Sequence, residues 1–242
     1  MRCAIFDVPG NRLHKIGGHE HSQIKNRTSH ILHTLIIRKI YQPIEDKALI
    51  LFIRNPEKGK VKTRLAKGVG EEKALRIYKS LLEHTRRQAL AVEARRLLFY
   101  ADYINHDDEW KEPDFEKYLQ EGQGLGSRMN HSFEIALRQS RSALLVGSDI
   151  AQLTTQIMED AFRQLETHDF VIGPAKDGGY YLLGMKEPTP PLFEGIEWST
   201  PTVFAETVAI IEGMGKTYAL APELSDIDYA EDWEKYGWEL NP

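Results

Sequence analysis

From residue 48 onward, short unbroken apolar runs alternate with longer stretches that carry a single apolar stripe. Residues 48–54, Ala-Leu-Ile-Leu-Phe-Ile-Arg, are apolar at six consecutive positions, the pattern of a strand buried on both faces. Residues 71–91 instead return Leu75, Tyr78, Leu82, Thr85 and Ala89 to one side, a period that predicts a helix. Glu71 and Glu72 at its start, with Arg86 and Arg87 in its later turns, suit the helix dipole. Residues 96–101, 143–146, 170–173, 180–184 and 217–221 read as further strands, and 127–139 and 154–165 as helices. Thr200 before Pro201 offers an N-cap and a first helical position, opening a helix to about residue 213. The polar, acidic stretch between residues 101 and 122 reads as a connection. Such alternation predicts an α/β fold: a three-layer sandwich with a mostly parallel sheet between helices.

Residues 1–47 break this pattern. Arg2, Arg12, Lys15, Lys25, Arg27, Arg38, Lys39 and Lys47 outnumber Asp7, Glu20, Glu45 and Asp46 there. His14, His19, His21, His30 and His33 also fall there, without the i, i+4 spacing plus third ligand that a zinc site needs. These residues are expected to form a poorly ordered basic extension, with the folded domain over 48–242.

Over the whole chain of 242 residues the formal charge is −5, which argues against nucleic acid as a partner through bulk electrostatics. A single cysteine, Cys3, excludes an intrachain disulfide. No apolar run approaches the ~20 residues that span a bilayer, and the opening residues lack a long apolar signal region. A cytoplasmic setting is the expectation.

The candidate chemistry lies at strand ends, where open α/β sheets bind their ligands. Behind the first predicted strand follow Arg54, Lys58, Lys60, Lys62 and Arg64 around a turn with Pro56 and Gly59. This loop is no Walker A motif, because its glycines and Lys60 are wrongly spaced, but its cations suit phosphates. A nucleotide or nucleotide-sugar site is the expectation. Val146-Gly-Ser-Asp149 ends another apolar strand with a carboxylate, a hard oxygen ligand suited to a divalent cation on phosphates. In Gln123-Gly-Leu-Gly-Ser-Arg-Met129, Ser127 reads as an N-cap. Arg128 then sits where the helix dipole disfavours a cation unless an anion is bound nearby. Lys176-Asp-Gly-Gly179 is a turn signal whose glycines also permit close approach of a substrate towards Asp177. In Leu224-Ser-Asp-Ile-Asp228, Asp228 has the spacing of an N-cap with Glu231, whereas Asp226 has no such local role. Asp149 and one of this pair are candidates to share a metal.

Taken in order, residues 53–65, Gly124-Leu-Gly-Ser-Arg-Met129, Gly147-Ser-Asp149, residues 177–184 and Asp226-Ile-Asp-Tyr-Ala-Glu-Asp-Trp233 resemble a bacterial family. It is the glycosyltransferase-A-fold nucleotide-diphospho-sugar transferases, relatives of the 2-phospholactate and molybdenum-cofactor guanylyltransferases. The resemblance covers roughly residues 48–233. It implies that Arg54, Lys62 and Arg64 face nucleotide phosphates, that Asp149 is the metal carboxylate, and that Asp226 or Asp228 completes the site with Mg²⁺ or Mn²⁺. Ala151 stands where the family usually has Pro, Tyr229-Ala230 where Thr-Pro is common, and residues 1–47 have no family counterpart.

The leading expectation is a metal-dependent transferase that moves a glycosyl group from a nucleotide sugar to a small acceptor, with Asp149 and Asp177 catalytic and Asp177 as base. Arg54, Lys62, Arg64 and Arg128 are the expected nucleotide-binding residues. Two alternatives stand beside it: a nucleotidylyltransferase joining an NTP to a phosphorylated small molecule, and a nucleotide-binding protein of the same fold without turnover. Asp149 without a DxD motif leans towards nucleotidyl transfer, and the family's usual description towards glycosyl transfer.

Overall fold

The computed structural model describes residues 45–240. The expectation of a poorly ordered extension lies, up to residue 44, outside the described residues. The first strand, β1 (Glu45–Ile53), begins three residues before the apolar run. Glu45 and Lys47 extend it because they pair in register with Ser140 and Ser142 of β4 (Ser140–Val146). The first strand thus begins ahead of residue 48, where the apolar run starts.

Seven strands form one sheet in the order β3-β2-β1-β4-β6-β5-β7. The others are β2 (Arg95–Tyr100), β3 (Glu116–Leu119), β5 (Phe170–Pro174), β6 (Tyr180–Met185) and β7 (Tyr218–Leu220). β1 pairs parallel with β2 and β4, β2 with β3, and β5 with β7. Only β6 runs against its neighbours β4 and β5, because a five-residue turn folds it straight back from β5. The expected mostly parallel sheet is thus present.

Alternate residues of β1 show why the architecture has three layers. Leu49, Leu51 and Ile53 enter one core with Tyr78 and Leu82 of α2 (Glu71–Leu90) and Met158 and Phe162 of α4 (Thr155–Leu165). Ala48 and Ile50 enter the other with Met129 and Phe133 of α3 (Leu125–Leu137) and Ile211 of α5 (Val203–Gly213). A third, smaller cluster joins Leu65 of α1 (Thr63–Val69), Ile77 and Leu81 of α2, Ile227, and Trp233 of α6 (Ala230–Tyr236). Each of these buried large side chains is worth about 1.5–3 kcal/mol. Among the described residues no helix is long and apolar enough to cross a membrane.

Three local expectations are corrected. The stretch read as a connection contains β3, an edge strand whose Tyr118 ring stacks on Phe99 at 5.0 Å. α3 starts at Leu125 with Gly124 at its N-cap (φ 93°), so Ser127 lies inside the first turn. α5 starts at Val203, so Thr200 and Pro201 sit in the turn before it. The Thr200 hydroxyl donates to the Glu197 carbonyl and does not cap the helix. Thr154, by contrast, caps α4 through its hydroxyl oxygen, which accepts the Ile157 N–H.

Candidate functional site

The carboxyl ends of β1, β4 and β5 open on one edge of the sheet, and the chain crosses that edge in three loops. The first leaves β1 at Arg54. Its backbone is held by the buried Tyr78 hydroxyl of α2, which accepts the Arg54 N–H (2.9 Å) and donates to the Arg54 carbonyl (3.1 Å). The same hydroxyl lies 3.4 Å from Ser148 Oγ in the loop after β4, so one side chain gauges the distance between two loops. Burial pushes the Tyr78 phenol up, and it keeps the proton that its bond to the Arg54 carbonyl needs. Buried Asn55 fixes the first loop on its other side, exchanging hydrogen bonds with the Tyr103 backbone.

The five cations of this loop have separate fates. Lys58 pairs with Glu72 at 2.7 Å and Lys60 with Glu57 at 2.6 Å, both towards solvent. Arg54 is exposed, and its guanidinium makes no hydrogen bond or ion pair among the described residues. Lys62 turns inward. It is the N-cap residue of α1 with φ 48° and ψ 45°, left-handed values that side chains other than glycine seldom adopt. Its side chain is only 7% exposed. Its Nζ donates to Asp149 Oδ2 at 3.0 Å and to Asp228 Oδ1 at 3.2 Å. Burial pulls this ammonium down, but Asp149 and Asp228 together outweigh it and the net direction is upward. Arg64 adds a bond from Nη1 to Asp228 Oδ2 at 2.9 Å.

The acidic partners arrive from far along the chain. After β7 the backbone pairs Leu224 with Ala175, its N–H donating to the Pro174 carbonyl while its carbonyl accepts the Lys176 N–H. Two residues past Ser225, the Ile227 N–H donates to the Asp149 carbonyl at 3.0 Å. Asp226 and Asp228, either side of Ile227, are thereby laid against the loop after β4. Asp228 does not cap α6. The N-cap residue is Tyr229, and Asp232 at the third helical position reaches back with Oδ2 to accept the N–H groups of Asp228 and Tyr229, so the Asp228 carboxylate is left for Lys62 and Arg64. The carboxylate of half-buried Asp226 makes no hydrogen bond or ion pair among the described residues. Burial first, then Asp149, Asp177 and Asp228, push its carboxyl up to about 8 against the opposing pull of Lys62.

Asp177 sits exposed at the tip of the β5–β6 turn, where its Oδ1 accepts the Gly179 N–H at 2.9 Å. Gly178 holds φ 91° there, and a Cβ on it would meet the Pro201 carbonyl oxygen at 2.1 Å, so the tip is clamped by the segment before α5. Arg128 lies in the first turn of α3 as expected, with Nε donating to the Gly122 carbonyl at 3.3 Å. The fold thus joins Lys62, Arg64, Asp149 and Asp228 directly, with Asp226 beside them and Asp177 near enough to perturb it. Arg54 and Arg128 stand outside that contact set. Sequence reading missed Tyr78, whose place on the apolar stripe of α2 hid its hydroxyl's role.

Comparison with solved structures decides the family. A protein from Desulfovibrio desulfuricans G20, described as a candidate nucleotide-diphospho-sugar transferase, is 30% identical with a TM-score of 0.72. The match covers 76% of this chain and 83% of that one. This chain belongs to the nucleotide-diphospho-sugar transferase family. The bacterial family described as "Uncharacterized protein conserved in bacteria (DUF2064)" matches residues 84–200, a span that holds Arg128, Asp149 and Asp177 but not Lys62, Arg64, Asp226 or Asp228. No curated protein matches the chain. The inositol-1-phosphate CTP transferase of T. maritima shares the fold at 13% identity and TM-score 0.53, over 79% of this chain and 93% of that one. The 4-diphosphocytidyl-2C-methyl-D-erythritol synthase of Anaerococcus prevotii DSM 20548 does so at 9% and 0.51, over 80% and 97%.

Within this nucleotide-diphospho-sugar transferase family member, no three His, Cys, Asp or Glu side chains among the described residues are grouped to hold a metal by themselves. The donor set nonetheless suits a hard cation. Asp149 and Asp228 already direct carboxylate oxygens at one buried positive charge, and Asp226 is a third carboxylate without a counter-ion. Mg²⁺ commonly takes only one or two carboxylates, with phosphate oxygens and water completing its shell.

Proposed function

We propose that the protein is a metal-dependent transferase that moves a glycosyl group from a nucleotide sugar to a small acceptor. The observation that carries this reading is the Asp149–Lys62–Asp228 bridge at the carboxyl ends of β1 and β4, in a chain of this family. Asp149 with Asp226 or Asp228 would hold Mg²⁺ or Mn²⁺, which supplies positive charge to the diphosphate as it leaves. Lys62, Arg64 and the unpartnered Arg54 bind the donor phosphates, a preorganised field that needs no rearrangement of solvent. Arg128, in the helix turn where the dipole favours an anion, serves the same donor.

In the transfer step an acceptor hydroxyl oxygen bonds to the anomeric carbon. The bond from that carbon to the diphosphate oxygen breaks with its electron pair. The hydroxyl proton passes to Asp177, one of whose oxygens is engaged by Gly179 while the other has no partner among the described residues. A second reading, nucleotidyl transfer with pyrophosphate leaving, is favoured by one feature. The acidic groups come from separate segments, and Gly147-Ser-Asp149 lacks a DxD pair.

Thermal-shift measurements across nucleoside diphosphates, triphosphates and nucleotide sugars, with and without Mn²⁺, test the shared part. A ligand at 100 times its dissociation constant adds ~2.7 kcal/mol, more of it with Mn²⁺ present, and Asp149→Ala abolishes the Mn²⁺-dependent portion while the fold persists. An unchanged Mn²⁺ response in that variant overturns the metal assignment. Product analysis then separates the readings: free nucleoside diphosphate marks glycosyl transfer, pyrophosphate marks nucleotidyl transfer.

A further inference from the structure

Lys62 is not placed like an ordinary phosphate-binding lysine. Its ammonium lies between the two carboxylates, and its backbone is fixed in the left-handed region, which residues bearing a side chain seldom adopt. Buried Val61 precedes it, and the Lys62 carbonyl accepts the Ala66 N–H at 2.9 Å, the first bond of α1. The fold therefore delivers this ammonium to one place. The oxygens it occupies, Asp149 Oδ2 and Asp228 Oδ1, are among those a divalent cation needs.

We propose that Lys62 is a built-in counter-cation that blocks the metal position until phosphates arrive. This rests on the metal reading above and adds an order to it. Without phosphates, the ammonium neutralises Asp149 and Asp228, and an incoming cation meets both like charge and engaged oxygens. Phosphate oxygens give the ammonium an alternative set of acceptors, and the two carboxylates are then released to the cation that accompanies those phosphates. Arg64 keeps its hold on the other Asp228 oxygen throughout, so that carboxylate stays oriented while its charge is exchanged. The protein thus takes up the cation together with phosphates and only poorly alone.

The test is Mn²⁺ binding, followed by loss of the free-ion electron paramagnetic resonance signal, with and without inorganic pyrophosphate and against protein-free controls. Wild-type protein is expected to bind Mn²⁺ weakly alone and tightly with pyrophosphate. Lys62→Met removes the competing charge and is expected to bind Mn²⁺ alone roughly tenfold more tightly, the scale of losing a partly buried ion pair. Its affinity for pyrophosphate falls. Lys62→Gly, which suits the left-handed backbone, should reproduce the gain and guards against misfolding of the first variant. If wild-type binding with pyrophosphate depends on Asp149 but neither Lys62 variant gains affinity for Mn²⁺ alone, this inference is wrong and the metal reading stands. If Asp149→Asn leaves all Mn²⁺ binding unchanged, both fall.

Discussion

At the scale of single residues, Asp226 is the carboxyl of the site whose ionisation is least compensated. Its neighbours are Asp149 in the loop after β4, Asp177 at the β5–β6 tip, Asp228 on its own segment and Lys62 at the start of α1. A carboxyl whose pKa rises from 3.8 to about 8 on folding binds its proton more tightly in the folded state. Its contribution to stability is complete below about pH 4 and is lost as pH rises through 8. Metal-free protein should therefore melt at progressively lower temperature between these limits, and Asp226→Asn should flatten that slope. At pH 9 the variant should be the more stable by about 1–2 kcal/mol, a figure reduced for solvent screening at a group that is not fully buried. Equal slopes in melts of the two proteins from pH 5 to 9 would remove Asp226 as their source.

At the scale of elements, α6 shows how a local pattern can offer two solutions. Asp228 and Glu231 have capping spacing, yet the helix starts at Ala230 and Asp232 receives both N–H groups. The choice is made by Lys62 and Arg64, more than 160 residues away in sequence, which no local reading can see. Asp232→Ala should cost about 1 kcal/mol of stability and leave the Mn²⁺ response of the protein intact. Asp228→Asn should do the reverse, costing less stability and weakening that response. Calorimetry and Mn²⁺ titration of the pair decide it, and the opposite pattern would return the cap to Asp228. β1 and α2 were legible because their burial is dictated by their own periodicity. β3 was not, because Glu116-Lys-Tyr-Leu119 gains its place only by adding to β2, and its buried lysine, Lys117, is neutralised by Asp108 in the preceding loop. The start of α3 was displaced because Gly124 supplies a backbone conformation where Ser127 offered only a side chain.

At the scale of the whole molecule, the described residues 45–240 build three core clusters among themselves. A chain beginning at Glu45 is therefore expected to melt cooperatively and to bind the same nucleotide with unchanged affinity. Aggregation, or a tenfold or greater loss of affinity by titration calorimetry, would show that residues 1–44 belong to the function. The candidate carboxylates were named from strand ends and spacing. The bridge between them was not, since Lys62 was grouped with Arg54 and Arg64 as a phosphate ligand, and only the fold buries it between carboxylates. The docking of residues 224–228 onto β5 and the Asp149 carbonyl has a consequence in the order of synthesis. Strands β1–β6 precede Asp226 and Asp228 by a long stretch of chain, and β7 by only a few residues. Since chains begin to fold as they emerge, the sheet can form around Asp149 and Lys62 while the remaining carboxylates do not yet exist. The nascent protein is then a partly folded scaffold without a working centre, and its chemistry is withheld until Asp226 and Asp228 are added.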